Sequence, residues 1–232
     1  MSDFKPFTLF LAGDSTMADQ PPDVHPLTGW GQMLRRFVPP DIKVANHAMS
    51  GRSTLSFINE GRLDAIMREA APNDCLLVQF GHNDEKIEDP SRYTDPEVMY
   101  PAMLRRYIEA ARSRGMSVVL ATPVQRRTFA ADGTLHESHG AYPDAVRKLA
   151  AEEGVPLLDL AAKTKELYER LGPEASKSLF VHAKPGELPN YPDGAEDNTH
   201  FSERGALRVA EIAAEGLAAL GVIPRVRRPG PA

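Results

Sequence analysis

The 232-residue chain has a single cysteine, no excess of basic residues and no long apolar run. The lone Cys75 excludes an internal disulfide, and its place in the apolar run from Cys75 to Val78 predicts an inert residue of a buried strand. The formal net charge is −5, from 27 Lys and Arg against 32 Asp and Glu, so the basic surface of a nucleic-acid-binding protein is missing. No apolar run approaches the roughly 20 residues that span a bilayer. We therefore expect neither nucleic acid nor a membrane as a partner, and the sequence leaves the oligomeric state open.

A secretory signal is also missing from the sequence as given. Such a signal needs a basic start, a long apolar core and a cleavage site ahead of the mature protein, whereas the first apolar run here leads directly into Ser15. With the single cysteine, this predicts a cytoplasmic protein. No repeat or linker divides the chain, so we expect one domain over residues 1–224 and a short frayed tail over residues 225–232, in which three arginines do not form a binding patch.

Short apolar runs alternate with longer amphipathic segments, which is the pattern of strand–helix units and a parallel sheet. Strands are predicted at about 7–12, 42–46, 75–80, 117–121 and 156–159, and helices at about 29–38, 59–70, 97–114, 141–153, 160–171 and 202–219. In the last helix Ser202 is the expected N-cap, and the apolar stripe contains Leu207, Ala210, Ala214 and Leu217. Two longer connections, residues 125–139 with a hairpin turn at Gly133 and residues 172–198, are candidate walls of a cleft.

The first predicted strand runs straight into a polar turn made of Gly13, Asp14 and Ser15. Apart from Thr8 the strand is apolar, as expected for a strand buried on both faces. The turn therefore opens at the carboxyl end of a core strand, where open parallel sheets bind their ligands. Ser15 is a candidate nucleophile at this point, although the same residues also suit a simple turn followed by a cap.

A second polar group, Asp197 to His200, comes directly before the last predicted helix. An Asp three residues ahead of a His can bring its carboxylate to the imidazole Nδ1 and leave Nε2 free. A serine needs such an oriented base, because its hydroxyl is a weak nucleophile until the proton is removed. An Asp that only caps the helix remains the alternative.

Two further groups follow the second and third predicted strands. Gly51 can offer a backbone N–H without obstruction by a side chain, and Asn83 can donate from its amide to the same point. A tetrahedral oxyanion needs two or three fixed donors of this kind. Each residue also has a simpler interpretation as part of a turn. All four groups, however, fall at one predicted edge of one sheet.

In this order, the four blocks resemble the SGNH or GDSL-type hydrolases. The matching residues are Gly13-Asp14-Ser15, Gly51, Gly81-x-Asn83-Asp84 and Asp197-x-x-His200. Thr16 stands where the family usually has Leu. With Gly29-Trp30-Gly31 and Phe80-Gly81-His82-Asn83-Asp84, this variant resembles the rhamnogalacturonan acetylesterase branch.

The resemblance implies a flavodoxin-like three-layer α/β/α sandwich with a central parallel five-stranded sheet. It also implies Ser15 as nucleophile, His200 as base and Asp197 as the residue that orients the base. The oxyanion hole is then formed by the backbone N–H groups of Ser15 and Gly51 and by the Asn83 amide. No cofactor or metal is expected.

Competing motifs are absent or incomplete. The chain has no Gly-x-Ser-x-Gly and no phosphate-binding Gly-x-x-x-x-Gly-Lys. His136 and His139 are one residue short of the zinc-protease spacing, so a metal there is not expected. Trp30 is interpreted as core. Sugar contacts are assigned to His82, His182 and Tyr191. For His136, His139 and His182 two interpretations stay open: a contact with sugar, or a surface histidine of no special role.

The sequence therefore predicts a serine esterase that removes acetyl groups from acetylated carbohydrate. Pectin-derived oligosaccharides are the expected substrates, because a cytoplasmic enzyme does not meet the polymer. A general small-ester deacetylase or an acyl thioesterase would use the same chemistry. A noncatalytic carbohydrate-binding module is the alternative of another class, and the intact set of Ser15, Asp197 and His200 speaks against it.

Overall fold

The computed structural model describes residues 5–224, and all structural statements refer to this range. Its central strands are β1 (Phe7–Gly13), β2 (Ile42–Asn46), β3 (Cys75–Gln79), β4 (Ser117–Ala121) and β5 (Leu157–Leu158). They form a parallel sheet in the order β2-β1-β3-β4-β5. All five predicted strands are confirmed. The last is shorter than predicted, because only its two leucines pair with β4 at the sheet edge.

Helices cover both faces of this sheet. They are α1 (Trp30–Leu34), α2 (Thr54–Asn59), α3 (Arg62–Glu69), α4 (Met99–Ser113), α5 (Tyr142–Glu153), α6 (Leu160–Ala175) and α7 (Glu203–Ala219). Successive residues of β1 point to opposite faces: Leu9 and Leu11 pack with α1, α6 and α7, whereas Phe10 and Ala12 pack with α2 to α5. The predicted three-layer α/β/α sandwich with flavodoxin-like strand order is therefore confirmed.

The clearest departure from the prediction lies in residues 172–198. A second sheet is formed here by β6 (Phe180–Ala183) and β7 (Ala195–Phe201), which pair antiparallel. The strands were not predicted because β6 has only four residues, β7 is mostly polar, and the connection between them is rich in Pro and Gly. The helix α6 also continues beyond its predicted end at residue 171, through a break in helical geometry at Gly172, where φ is 74°.

Another short helix, α2, is absent from the prediction. The Ser53 side chain accepts a hydrogen bond from the Ser56 N–H, and the Ser56 side chain accepts one from the Ser53 N–H. This reciprocal cap fixes the start of a six-residue helix whose sequence is too short for a clear periodicity. The predicted helix over residues 59–70 corresponds mainly to α3.

Several local predictions are confirmed. Trp30 and Cys75 are buried, and burial raises the pKa of the Cys75 thiol to about 11. The Ser202 side chain caps α7 by accepting from the Gly205 N–H, and Gly133 lies in a small hairpin closed by a bridge between residues 129 and 135. Leu207 is only partly buried, so the α7 stripe is centred one residue earlier than predicted.

Two predictions are not tested by the structure. The single domain over residues 1–224 stays a prediction, and the tail over residues 225–232 lies outside the described residues. Within residues 5–224, no helix is both long and apolar enough to cross a bilayer. The cytoplasmic location also stays a prediction.

Candidate active site

Ser15, His200 and Asp197 form one chain of hydrogen bonds at the carboxyl edge of the sheet. Ser15 Oγ lies 2.9 Å from His200 Nε2, and His200 Nδ1 lies 2.6 Å from Asp197 Oδ2. The Ser15 turn follows β1, whereas the other two residues belong to β7. The structure therefore brings together two groups that are 185 positions apart in sequence.

An irregularity in the β6–β7 pairing places Asp197 and His200. Two residue steps on β6, from Phe180 to His182, stand opposite five steps on β7, from Glu196 to Phe201. The extra residues bulge out of the ladder, as is common beside active sites. The bulge closes on itself, because Asp197 Oδ1 accepts the N–H groups of Thr199 at 2.7 Å and His200 at 2.9 Å.

These contacts also keep Asp197 ionised. Partial burial raises its pKa, but the hydrogen bond and charge of His200 and the two backbone N–H groups outweigh burial and hold the pKa below the usual value. The carboxylate can therefore accept a hydrogen bond from the Nδ1–H of His200, which leaves Nε2 as the acceptor that faces Ser15. About a third of each side chain, 30% for His200 and 32% for Asp197, is open to solvent.

The predicted oxyanion donors follow three neighbouring strands. Ser15 comes after β1, Gly51 after β2 and Asn83 after β3, and β1 lies between the other two strands. Gly51 has a φ of 81°, a conformation that suits glycine. Among residues 5–224, the N–H groups of Ser15 and Gly51 donate to no acceptor. Both are thus available to a bound oxyanion.

The Asn83 amide is held from both ends. Its Nδ2 donates to the Arg52 carbonyl at 3.0 Å, which uses one of the two amide hydrogens. Its Oδ1 faces Arg92 Nη1 at 3.4 Å. The remaining amide hydrogen can donate to substrate. Arg92 was not singled out from the sequence, because nothing in its loop marks a contact with Asn83.

Beneath Ser15 lies a buried chain of polar side chains. Trp30 Nε1 donates to Gln79 Oε1 at 2.8 Å, and Gln79 Nε2 donates to Thr16 Oγ1 at 3.0 Å. Thr16 then donates to Asp14 Oδ1 from its hydroxyl at 2.7 Å and its N–H at 2.9 Å. A leucine in place of Thr16 lacks the hydroxyl that joins Gln79 to Asp14.

The chain ends in a buried pair of Asp14 and His82. Asp14 Oδ2 lies 3.1 Å from His82 Nδ1. Burial raises the pKa of Asp14, yet His82 and Thr16 together hold it below the usual value. Burial lowers the pKa of His82 to about 4, so its ring is neutral at neutral pH.

Asp84, which follows Asn83 in sequence, is a second buried carboxyl group beside the candidate site. Its Oδ1 accepts from the Thr54 N–H at 2.9 Å, the Thr54 hydroxyl at 2.5 Å and the Thr94 hydroxyl at 2.9 Å. Its Oδ2 is buried and has no partner within residues 5–224. Burial raises the pKa of Asp84 to about 7 despite these bonds.

The predicted sugar contacts have different surroundings. Tyr191 is partly exposed and donates from its hydroxyl to the Val24 carbonyl at 2.8 Å. His182 lies on β6 with Nε2 3.0 Å from Asn198 Oδ1. His82 is 4% exposed, so it lies behind the serine turn and not in the open cleft.

His136 and His139, the two other histidines considered as sugar contacts, also differ from each other. His136 is exposed. Both interpretations of His139, as a sugar contact and as a surface histidine, are wrong, because its ring is buried. Its Nδ1 lies 2.9 Å from Glu85 Oε2 and its Nε2 lies 2.8 Å from the Val124 carbonyl. In the part of the chain that the structure describes, no group of three or more His, Cys, Asp or Glu side chains is arranged to hold a metal ion.

Known proteins of one family match most of this chain. The model of the GDSL-like Lipase/Acylhydrolase family matches residues 11–208, a range that includes both ends of the candidate site. The chain is 50% identical over 218 residues to the rhamnogalacturonan acetylesterase RhgT of Bacillus subtilis (strain 168), and the match covers 94% of this chain and 92% of that protein. It is 37% identical over 214 residues to the probable rhamnogalacturonan acetylesterase YesY of the same organism, covering 92% and 94%.

Solved structures show the same fold. The crystal structure of YxiM from Bacillus subtilis superposes with a TM-score of 0.76 at 27% identity, covering 93% of this chain and 57% of that one. The family match spans most of the sequence, and the matched region contains the sheet and the hydrogen-bonded Ser15, His200 and Asp197. The chain therefore belongs to the GDSL-like lipase/acylhydrolase family and is a carboxylic ester hydrolase.

Proposed function

We propose that this protein is a serine acetylesterase that deacetylates pectic oligosaccharides derived from rhamnogalacturonan. The observation that carries the proposal is the continuous line from Ser15 Oγ through the His200 ring to Asp197, with spacings of 2.9 and 2.6 Å. This line lies beside two free backbone N–H groups and a fixed side-chain amide. A noncatalytic binding module has no need for such an arrangement.

The acylation step follows from the roles of these groups. His200 Nε2 takes the Ser15 proton while Ser15 Oγ attacks the ester carbonyl, and Asp197 stabilises the imidazolium that forms. The negative charge that develops on the carbonyl oxygen is bound by the N–H groups of Ser15 and Gly51 and by Asn83. Each such donor contributes about 3–4 kcal/mol to the transition state. The bond between the carbonyl carbon and the sugar oxygen then breaks, His200 gives its proton to that oxygen so that the sugar leaves as an alcohol, and the acetyl group stays on Ser15.

Deacetylation repeats the same steps with water as nucleophile. His200 removes a proton from water, the hole binds the second oxyanion, and acetate leaves as Ser15 recovers its proton. The exposure of His200 suits this step, since water must reach its Nε2. Every proton taken up by His200 is returned within the cycle.

The substrate proposal is supported by the two relatives named as rhamnogalacturonan acetylesterases, with 50% and 37% identity over nearly the whole chain. Sugar contacts are proposed for Tyr191 and His182, which lie on the same hairpin region as the base. Tyr191 offers a ring face even though its hydroxyl is bonded to Val24. The His182 ring is held by its contact with Asn198, the residue next to Asp197.

Release of acetate from a matched set of substrates tests the proposal. We would measure kcat/KM for acetylated rhamnogalacturonan oligosaccharides, acetylated xylo-oligosaccharides, p-nitrophenyl acetate and an acetyl thioester, with Ser15→Ala as the blank. We expect the rhamnogalacturonan oligosaccharides to have the highest kcat/KM. Equal values for all oxygen esters would support a general small-ester deacetylase instead, and a preference for the thioester would support a thioesterase.

A further inference from the structure

The loops that carry the oxyanion donors are joined in pairs by side-chain hydrogen bonds. The Ser15 loop and the Gly51 loop are joined by Gln20, whose Nε2 donates to the Ser15 carbonyl at 2.8 Å and to Ser50 Oγ at 3.2 Å. The Asn83 loop and the Gly51 loop are joined by Asp84 and Thr54. The Ser15 loop and the Asn83 loop are joined by Asp14 and His82. These contacts complete a triangle around the hole.

The contact between Asp14 and His82 is the most direct of the three. Asp14 immediately precedes Ser15, and His82 immediately precedes Asn83, so one hydrogen bond of 3.1 Å joins the chain next to the nucleophile to the chain next to the amide donor. The side chain of Asp14 is fully buried, and that of His82 is 4% exposed. A bond in this position sets the spacing between two of the three donors.

The protonation states of Asp14 and His82 favour a hydrogen bond between them. His82 is neutral, and Asp14 is an ionised acceptor, so the ring proton lies on Nδ1 and is donated to Asp14 Oδ2. The other nitrogen, Nε2, is buried and has no hydrogen-bond partner within residues 5–224. The ring packs edge-on against His139, with centroids 4.4 Å apart. His82 therefore presents no polar atom to the cleft, which argues against a sugar contact.

We propose that His82 is a positioning residue of the oxyanion hole, which acts by donating from Nδ1 to Asp14 and so fixes the Ser15 N–H relative to the Asn83 amide. The inference rests on the proposed function, because it assigns the hole to an acyl-transfer reaction. Donors in such a site must already point at the position of the oxyanion, since their reorganisation during the reaction costs rate. A misplacement of about 1 Å can cost about 10²-fold.

The loss of His82 would leave one Asp14 oxygen buried without a donor. A buried ionised group without a partner is costly, so the turn is expected to shift until water or another donor reaches it. Thr16 would still hold the other oxygen. The expected result is a displaced Ser15 N–H in a folded protein.

Two substitutions separate the hydrogen bond from the shape of the ring. His82→Asn keeps a side-chain N–H close to the position of Nδ1 but loses the ring. His82→Phe keeps the ring but has no donor. With p-nitrophenyl acetate, which is too small to need sugar contacts, we expect His82→Phe to lower kcat about 10–100-fold with KM little changed. His82→Asn should retain kcat within about fivefold of wild type.

Leu217→Ala is the control for an effect that comes only from lost stability. It truncates a side chain in the buried face of α7, away from the three loops. We expect this variant to lower Tm at least as much as His82→Phe and to keep the wild-type kcat. Full kcat in His82→Phe, or a loss in His82→Asn that exceeds the loss in His82→Phe, overturns the proposal. So does an effect on KM for oligosaccharides alone, which is the result for a sugar contact. If the wild-type protein cleaves neither aryl acetate nor any acetylated sugar, the proposed function itself fails and the inference fails with it.

Discussion

The two halves of the candidate site are built in opposite ways. The half with the oxyanion donors lies at the ends of β1, β2 and β3, and the side chains that join its loops include Asp14, His82 and Asp84, all buried. The half with the base lies on a bulge of the β6–β7 hairpin and is held mainly by hydrogen bonds within that bulge. About a third of the His200 and Asp197 side chains is exposed.

Under the proposed function, the difference follows from what each half must do. The donors act only on charge that develops in the transition state, so they benefit from a rigid and dry setting. The base must exchange protons with the serine, with the departing alcohol and with water, so it must remain accessible. The comparison predicts that changes in the buried half alter kcat for every ester, whereas changes at the rim of the hairpin alter the choice of substrate.

The largest effect is expected where the two halves meet. Ser15→Ala should abolish hydrolysis of acetyl esters, because it removes the hydroxyl that His200 deprotonates and that attacks the ester. Triad members act as a unit, so the loss of one is close to the loss of all. Ser53→Ala is the matched control, since it removes a buried serine that caps α2. It should cost about 1 kcal/mol of stability and leave the activity within about tenfold. Retention of more than about a tenth of the rate in Ser15→Ala would identify another residue as nucleophile.

A change in the buried half should act on turnover. Asn83→Ala removes the amide donor and should lower kcat by about 10²–10³-fold with KM little changed, for aryl acetate and oligosaccharide alike. Steady-state kinetics with both substrates provides the measurement. An effect confined to KM would make Asn83 a substrate-binding residue, and it would contradict the assignment of turnover to the buried half.

A change at the rim should act on selection of the substrate. The loop over residues 187–193 packs against residues 22–25, because Tyr191 donates to the Val24 carbonyl and Asn190 donates to the carbonyls of Pro22 and His25. Deletion of its tip should lower kcat/KM for acetylated oligosaccharides by about tenfold or more and that for aryl acetate much less, since only the larger substrate gains from remote contacts. After a check that Tm is unchanged, equal losses on both substrates would show that the loop is only a connection.

The smallest effect concerns stability and its dependence on pH. The folded-state pKa of Asp84, about 7, lies above the usual aspartate value of about 3.9, so its protonated form stabilises the fold. This contribution is complete below about pH 4 and is lost as pH rises towards 7. Asp84→Asn cannot ionise, so its Tm should rise relative to wild type between pH 4 and 7 and then stay level.

The difference in Tm between wild type and Asp84→Asn reports on Asp84 and not on His82. The pKa of His82 is lowered to about 4, so His82 contributes stability that is present above about pH 6.5 and lost as pH falls to 4. That opposite contribution is common to both proteins and cancels in the difference. A constant Tm difference over this range, measured by calorimetry, would contradict the assignment of a protonated Asp84.

The sequence was enough to predict the sheet, and it places members of the candidate site at one edge of that sheet for physical reasons. Strands buried on both faces leave apolar runs such as residues 75–79, and the carboxyl ends of parallel strands share one edge, so Ser15, Gly51 and Asn83 could be placed together. The β6–β7 hairpin was missed because β6 is short, β7 is mostly polar, and their register depends on a bulge that no local pattern shows. The bond between Asp14 and His82 was missed because sequence does not reveal which way a polar side chain points when it follows a buried strand.

In the proposed reaction, Ser15 carries the acetyl group between the two steps. Rapid acid quenching of the enzyme during turnover of p-nitrophenyl acetate, followed by peptide mass spectrometry, tests it directly. We predict one added acetyl group on the peptide that contains Ser15, formed within the first turnover and absent from Ser15→Ala. An acetyl group on any other residue, or hydrolysis at the full rate with no acetylated peptide at any time, would contradict the account.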